Sequence, residues 1–159
     1  MNLKIREAIE NDYIDISNLA REVHKLHVEN RPDIYLDNET PLLRDRFEDL
    51  LSSNTTKVFV LENIYKNELI AYSVIQIINQ IDSQLLVPSK FVYIDNFCVQ
   101  SSNQKTGVGK LLFNHIVNYA KSEDISSIQL SVSEFNKNAI NFYEILGMTT
   151  RNRKMELRL

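Results

Sequence analysis

The stretch Phe91–Leu112, FVYIDNFCVQSSNQKTGVGKLL, decides the fold. Phe91 to Val99 is β-branched and aromatic with little polar interruption, the pattern of a central strand covered on both faces. A helix follows, because Val108, Leu111, Leu112, Ile116 and Tyr119 recur at three- and four-residue spacing and so share one helical face. Between strand and helix lies Gln104-Lys105-Thr106-Gly107-Val108-Gly109. The chain holds only three glycines, where average usage of about 7% would give roughly eleven, and two of them stand here. Glycine permits unusual φ and close approach to the backbone, and a helix N-terminus offers unpaired N–H groups with a partial positive charge. The physical reading is a pocket for a phosphate or pyrophosphate.

Two rival phosphate loops fail on spelling. A Walker-type loop requires four residues between its glycines and then Gly-Lys-Ser/Thr, whereas Gly109-Lys110 is followed by Leu111. A dinucleotide fingerprint requires a third glycine where Leu112 stands. The stretch instead resembles the Gln/Arg-x-x-Gly-x-Gly/Ala signature of the GNAT family of acetyl-CoA-dependent N-acetyltransferases. The resemblance extends to a second family motif, Asn-x-x-Ala-x-x-Phe-Tyr-x-x-x-Gly-Phe, met here as Asn136-Lys137-Asn138-Ala139-Ile140-Asn141-Phe142-Tyr143-Glu144-Ile145-Leu146-Gly147-Met148. Only the last position departs, Met148 replacing Phe. The looser N-terminal pattern also fits, so the resemblance covers essentially the whole chain.

The resemblance implies an α/β (α+β mixed) acyl-CoA N-acyltransferase fold, a mixed six- to seven-stranded sheet flanked by about four helices, with residues 1–159 as one domain. It implies that the central strand and the strand after the glycine-loop helix splay apart, aided by a bulge, and that pantetheine fills the gap much as an added strand would. Phe97, Cys98 and Val99 are then expected to line the pantetheine. Backbone N–H groups over Gln104, Lys105, Thr106, Gly107, Val108, Gly109 and Lys110 are expected to hold the pyrophosphate, with Asn136 and Tyr143 also on the coenzyme. Gln104 departs from the commoner Arg, which leaves only Lys105 and Lys110 as positive charge. Tyr143 matches the family's tyrosine near the thioester sulfur, often the general acid, and a phenol with an ordinary pKa near 10 suits a thiolate of similar basicity. The base is more open. Asp95 interrupts an apolar strand, where a polar side chain requires a partner; Glu134 follows the fifth strand, beside a helix N-terminus where a carboxylate is stabilising in its own right; His27 is a third candidate. His27, Tyr35 and Asp95 are the expected acceptor contacts, and Asp95 is expected to share a face with Phe97 and Val99 unless a bulge shifts the register. Acetyl-CoA is the expected co-substrate, moved to a primary amine by direct attack in a ternary complex. A small-molecule amine is the first expectation for the acceptor. A protein N-terminus or lysine stays open, as does a non-catalytic acetyl-CoA-binding sensor or interaction module.

Composition bounds the rest. Hydrophobic content of 43% with 25% charged residues is that of a soluble globular domain. A net charge of −3 argues against a nucleic-acid scaffold, which carries a basic stripe. One cysteine excludes an internal disulfide and a cysteine metal cluster, and suits a reducing cytoplasm. The N-terminus lacks a signal-peptide core and no run is long enough to span a membrane. A homodimer is compatible with all of this.

Working outward, Leu3–Ile9 is expected as a first strand, with Asn11-Asp12 capping a helix whose stripe is Tyr13, Ile16, Ala20, Val23 and His27, widened by Leu19 and Leu26. His24 and His27 are neighbours on that helix, but no third residue is spaced to complete a metal site, so no metal is expected. Arg31-Pro32 ends the helix, a polar loop follows, and Leu42–Leu51 is a second helix. Thr56–Leu61 and Leu69–Ile78 are expected as an antiparallel hairpin, Asn79–Lys90 as a loop, Ser127–Val132 as a strand after the glycine-loop helix, and Asn136 as the cap of a helix that Gly147 ends. Met148–Leu159, with Met155, Leu157 and Leu159 alternating against charges, is expected to add one or two closing strands.

Overall fold

The computed structural model describes residues 2–81 and 84–159. Among them the strands are β1 (Leu3–Glu7), β2 (Thr56–Asn63), β3 (Glu68–Gln80), β4 (Ser89–Val99) and β5 (Ile128–Leu130), in the spatial order of the sequence. β1 to β4 run antiparallel to their neighbours, and β5 is parallel to β4. The helices are α1 (Tyr13–Asn30), α2 (Arg44–Ser52), α3 (Val108–Ser122) and α4 (Lys137–Ile145).

Each helix lays its apolar stripe on one side of the sheet. Ile16 and Leu19 of α1 and Phe47 and Leu50 of α2 pack with Val58, Val60, Tyr72, Val74 and Cys98. Leu112, Phe113 and Ile116 of α3 pack on the opposite face with Leu61, Ile75, Val92 and Ile94, and Phe142 and Tyr143 of α4, with Leu146 just past its end, close that layer. Leu26 and Leu111, expected on the stripes, are instead exposed at the edges, and α2 starts two residues later than expected, with Leu43 in solvent.

The mixed sheet has five strands rather than the six or seven expected. The missing ones are the closing strands: residues 148–159 carry no strand, and Met155, Leu157 and Leu159 are exposed. Their alternation would suit a sheet edge, but only their charged partners are engaged, Glu156 and Arg158 forming ion pairs with Arg31 and Asp33.

Asp12 also departs from expectation. It makes no side-chain cap on α1. Its carboxylate accepts the Ile9 N–H at 2.8 Å and both terminal nitrogens of Arg6, at 2.7 and 2.9 Å, which ties β1 to the helix entrance. Burial alone would raise this carboxyl, but the Arg6 hydrogen bonds and charge and the Ile9 N–H outweigh it, holding the pKa below the ordinary carboxylate value. A lowered folded-state pKa stabilises at pH values above the unfolded pKa of about 4 and is lost as pH falls through the folded value. Asp12→Asn is therefore expected to cost about 1–3 kcal/mol at pH 7, measured by urea unfolding, with the gap to wild type closing below about pH 4. A gap that persisted undiminished at pH 2.5 would show that shape rather than charge holds this corner.

Candidate active site

The site is built where β4 loses one neighbour. Its ladder with β5 covers only Val92, Tyr93 and Ile94, whereas its ladder with β3 runs on to Val99. Asp95 to Val99 therefore faces no strand on the β5 side. At the same point the β3 ladder slips: Val74 pairs with Asn96 and Ile75 with Ile94, leaving Asp95 as the extra residue of a bulge. Ser73, fully buried, props the bulge by donating its hydroxyl to the Asn96 carbonyl at 2.7 Å. The extra residue inverts the alternation. Val92 and Ile94 face α3, and so do Phe97 and Val99, while Cys98 faces α1. Asp95 thus stands at the inversion rather than on a regular face with Phe97 and Val99, exposed, with Asn96 Nδ2 at 3.4 Å.

The glycine loop closes one end of this open edge. Gly107 has φ +91° and begins α3 in the left-handed conformation, and Lys105 also has positive φ, +61°. Gly109 serves a different purpose: a Cβ there would lie 3.1 Å from the Phe142 ring, which would have to give by a few tenths of an ångström where α3 approaches α4. The side chains of the loop are spent on its own shape. Thr106 Oγ1 donates to the Asn103 carbonyl at 2.6 Å, Gln104 Nε2 to the Val99 carbonyl at 3.3 Å, and Ser101 to Glu22 of α1 at 2.9 Å. The Gln104 N–H bonds to the Ser101 carbonyl at 3.3 Å, so the cradle starts one residue later than expected. Among the described residues the N–H groups of Lys105, Thr106 and Gly107 meet no acceptor, and those of Val108, Gly109 and Lys110 are the first turn of α3, where intrahelical acceptors are lacking. Six consecutive donors beside two lysines fit a pyrophosphate.

The other expected residues divide between the two sides of the sheet. Tyr143 lies on the α3 side, its ring centroid 6.1 Å from Phe97 and 5.2 Å from Phe142. Its hydroxyl has no protein partner among the described residues, and burial raises its pKa. Asn136 spends Oδ1 on capping α4, accepting the Ala139 N–H at 3.1 Å. Cys98 points away from the open edge, its Sγ 3.3 Å from the Leu19 carbonyl, and burial and the charge of Glu22 push its thiol up to about 12, so only its backbone belongs to the edge. Glu134 is exposed and bonded to Lys137 at 3.1 Å, which holds its carboxyl below the ordinary range.

On the α1 side a cavity of about 280 Å³ opens beneath the bulge, between α1, α2 and β3. His27 and Tyr35 line it, with ring centroids 5.0 Å apart, and so do His24, Tyr72 and Asn96. Phe135 stands 5.4 Å from His27 and connects this side to the start of α4. Both histidines have fixed tautomers, since a carbonyl only accepts: His27 Nδ1 donates to Val23 at 2.8 Å and His24 Nε2 to Leu36 at 2.7 Å. His27 Nε2 is consequently left with its lone pair whenever the ring is neutral. Tyr72, Ser73 and the fixed His24 are features that sequence reasoning did not find as site residues; the one signal was Ser73, a lone hydroxyl in an apolar strand. Among the described residues no group of three or more His, Cys, Asp or Glu is placed to hold a metal, and no helix is long and apolar enough to cross a membrane.

Against known proteins, residues 20–148 match the Acetyltransferase (GNAT) family. Two mutant forms of the BH1408 protein from Bacillus halodurans superpose with a TM-score of 0.95 at 35% identity, over 98% of this chain and 99% of theirs. The fold is also shared, at 19% identity, with an aminoglycoside acetyltransferase from an uncultured soil metagenomic sample, TM-score 0.75 over 99% of this chain and 95% of that one. A glucosamine-6-phosphate N-acetyltransferase from Arabidopsis thaliana gives 0.69 over 99% of each chain. No curated protein matches. The chain belongs to the GNAT family of N-acetyltransferases, enzymes that take acetyl-CoA as co-substrate.

Proposed function

We propose that this protein transfers the acetyl group of acetyl-CoA to a small primary amine by direct attack in a ternary complex. The observation that carries the reading is the open edge of β4 past its bulge, with six unpaired N–H groups in the loop that follows it and Tyr143 against Phe97 on one face of the sheet, and a cavity that includes Asn96 on the other. Backbone groups from Lys105 to Lys110 hold the pyrophosphate, and the open edge of β4 over Phe97, Cys98 and Val99 bonds the pantetheine amides. The amine attacks the thioester carbonyl from the cavity, the C–N bond forms, and the C–S bond breaks. Tyr143 gives its phenolic proton to the departing thiolate, and the amine's own proton passes to a base on the cavity side.

His27 Nε2 is the base this geometry favours: it lines the cavity and carries a lone pair that no donor occupies. Asp95 is the second reading, because it stands at the bulge itself beside Asn96. Glu134 is the weakest of the three, tied to Lys137 and fully exposed. The expected outcome is that His27→Ala lowers kcat by roughly 100-fold while Glu134→Gln changes it by no more than about twofold, with free thiol release as the assay. A larger loss from Glu134→Gln than from His27→Ala would reverse this ranking.

A further inference from the structure

The chemistry of the cavity says more about the acceptor than the fold does. Resting on the reading of that cavity as the acceptor site, we propose that the acceptor is a small monoamine with an apolar, ring-bearing body, and not a polyamine, aminoglycoside or sugar phosphate. The cavity lining contains no Asp, Glu, Lys or Arg. Val23, Leu42, Leu50 and Val74 form its apolar part. Its polar groups are the Asn96 amide, the Tyr72 and Tyr35 hydroxyls and two histidines already bonded to backbone carbonyls.

Charge is available at one end only. Asp95 adjoins Asn96, its Oδ2 3.4 Å from the Asn96 Nδ2, and its charge adds to the burial that raises the Tyr72 phenol. A single amine placed there meets its carboxylate at the bulge, where the thioester must also come. A second ammonium further in would be stripped of water among apolar side chains with no partner, and a phosphate would find no cation. On this side of the sheet Arg21 of α1 is paired with Glu39 at 2.8 Å and Arg31 with Asp33 at 2.9 Å. Size agrees: about 280 Å³ falls just below the roughly 300–1,000 Å³ of sites for drug-sized ligands. The His27 and Tyr35 rings, 5.0 Å apart and inclined at 69°, present an edge and a face against which a ring of the acceptor would pack.

The test compares 2-phenylethylamine, spermidine, kanamycin, glucosamine 6-phosphate and a peptide with a free N-terminus as acceptors, with acetyl-CoA binding measured separately by calorimetry. The expected result is a kcat/KM for 2-phenylethylamine at least about 100-fold above those for spermidine and kanamycin, in line with the cost of burying an unpaired second charge. Ala20→Phe, which fills the cavity from α1, should lower the 2-phenylethylamine value by about tenfold or more while the affinity for acetyl-CoA is unchanged. If the coenzyme binds but spermidine, kanamycin, the sugar phosphate or the peptide is acetylated as well as the arylalkylamine, or if no monoamine is acetylated, the acceptor assignment is overturned. Failure to bind the coenzyme at all would instead remove the acetyltransferase reading beneath it.

Discussion

Tyr143→Phe is expected to lower kcat by about 100-fold or more while leaving the affinity for acetyl-CoA within about twofold of wild type, as removal of a general acid should. The ring is held among Phe97, Phe113 and Phe142, so phenylalanine keeps the packing and removes only the hydroxyl. That hydroxyl has no protein partner among the described residues, and burial raises its pKa, so it stays protonated through the neutral range. The same desolvation raises the basicity of a thiolate leaving beside it, which keeps donor and acceptor matched. The comparison needs steady-state kinetics with an accepted amine and calorimetric titration of the coenzyme. Unchanged turnover would make Tyr143 a packing residue and leave the thiolate to be protonated by water.

Gly109→Glu is expected to weaken acetyl-CoA binding by at least about 100-fold, through a like charge placed against the pyrophosphate and through lost space. A Cβ at this position lies 3.1 Å from the Phe142 ring, which must give by a few tenths of an ångström, and the rest of the glutamate side chain needs room beyond that. The carboxylate then stands before the N–H groups that open α3. Gly109→Ala separates the two causes, since it carries the bulk of a Cβ without the charge, and should fall between wild type and Gly109→Glu. Circular dichroism and thermal unfolding establish that the variants are folded. Wild-type coenzyme affinity in a folded Gly109→Glu protein would displace the pyrophosphate from this loop.

What the sequence made legible was local. The glycine pair announces a left-handed residue, which Gly107 supplies, and room for a ligand at the backbone, whereas at Gly109 the close neighbour is the Phe142 ring of α4. Asn136 and Gly147 mark the ends of α4, and both are used: Asn136 Oδ1 accepts the Ala139 N–H, and Gly147 has φ +92°. What stayed hidden depends on partners far along the chain. β4 is apolar on both faces, so its alternation carries no phase, and the inversion at Asp95 belongs to its pairing with β3, where Ser73 also reaches the Asn96 carbonyl. Asp12 has the spelling of a helix cap, but Arg6 and the Ile9 N–H compete for its carboxylate and win. Met155, Leu157 and Leu159 have the period of a strand, yet a strand also requires a ladder partner, which spelling does not provide. The cavity was the least legible feature, because its walls come from α1, the following loop, α2, β3 and β4. Of the expected acceptor residues, His27 and Tyr35 line it directly, while Asp95 touches it through Asn96.

The central claim is that the two sides of the β4 bulge exchange an acetyl group. Incubating the protein with acetyl-CoA and 2-phenylethylamine, and identifying the products by mass spectrometry, tests it most directly. The account predicts the N-acetylated amine in step with free coenzyme A, and its near disappearance with Tyr143→Phe. Tight binding of acetyl-CoA with no N-acetyl product from this or any other amine would contradict it, leaving a coenzyme-binding module rather than a transferase.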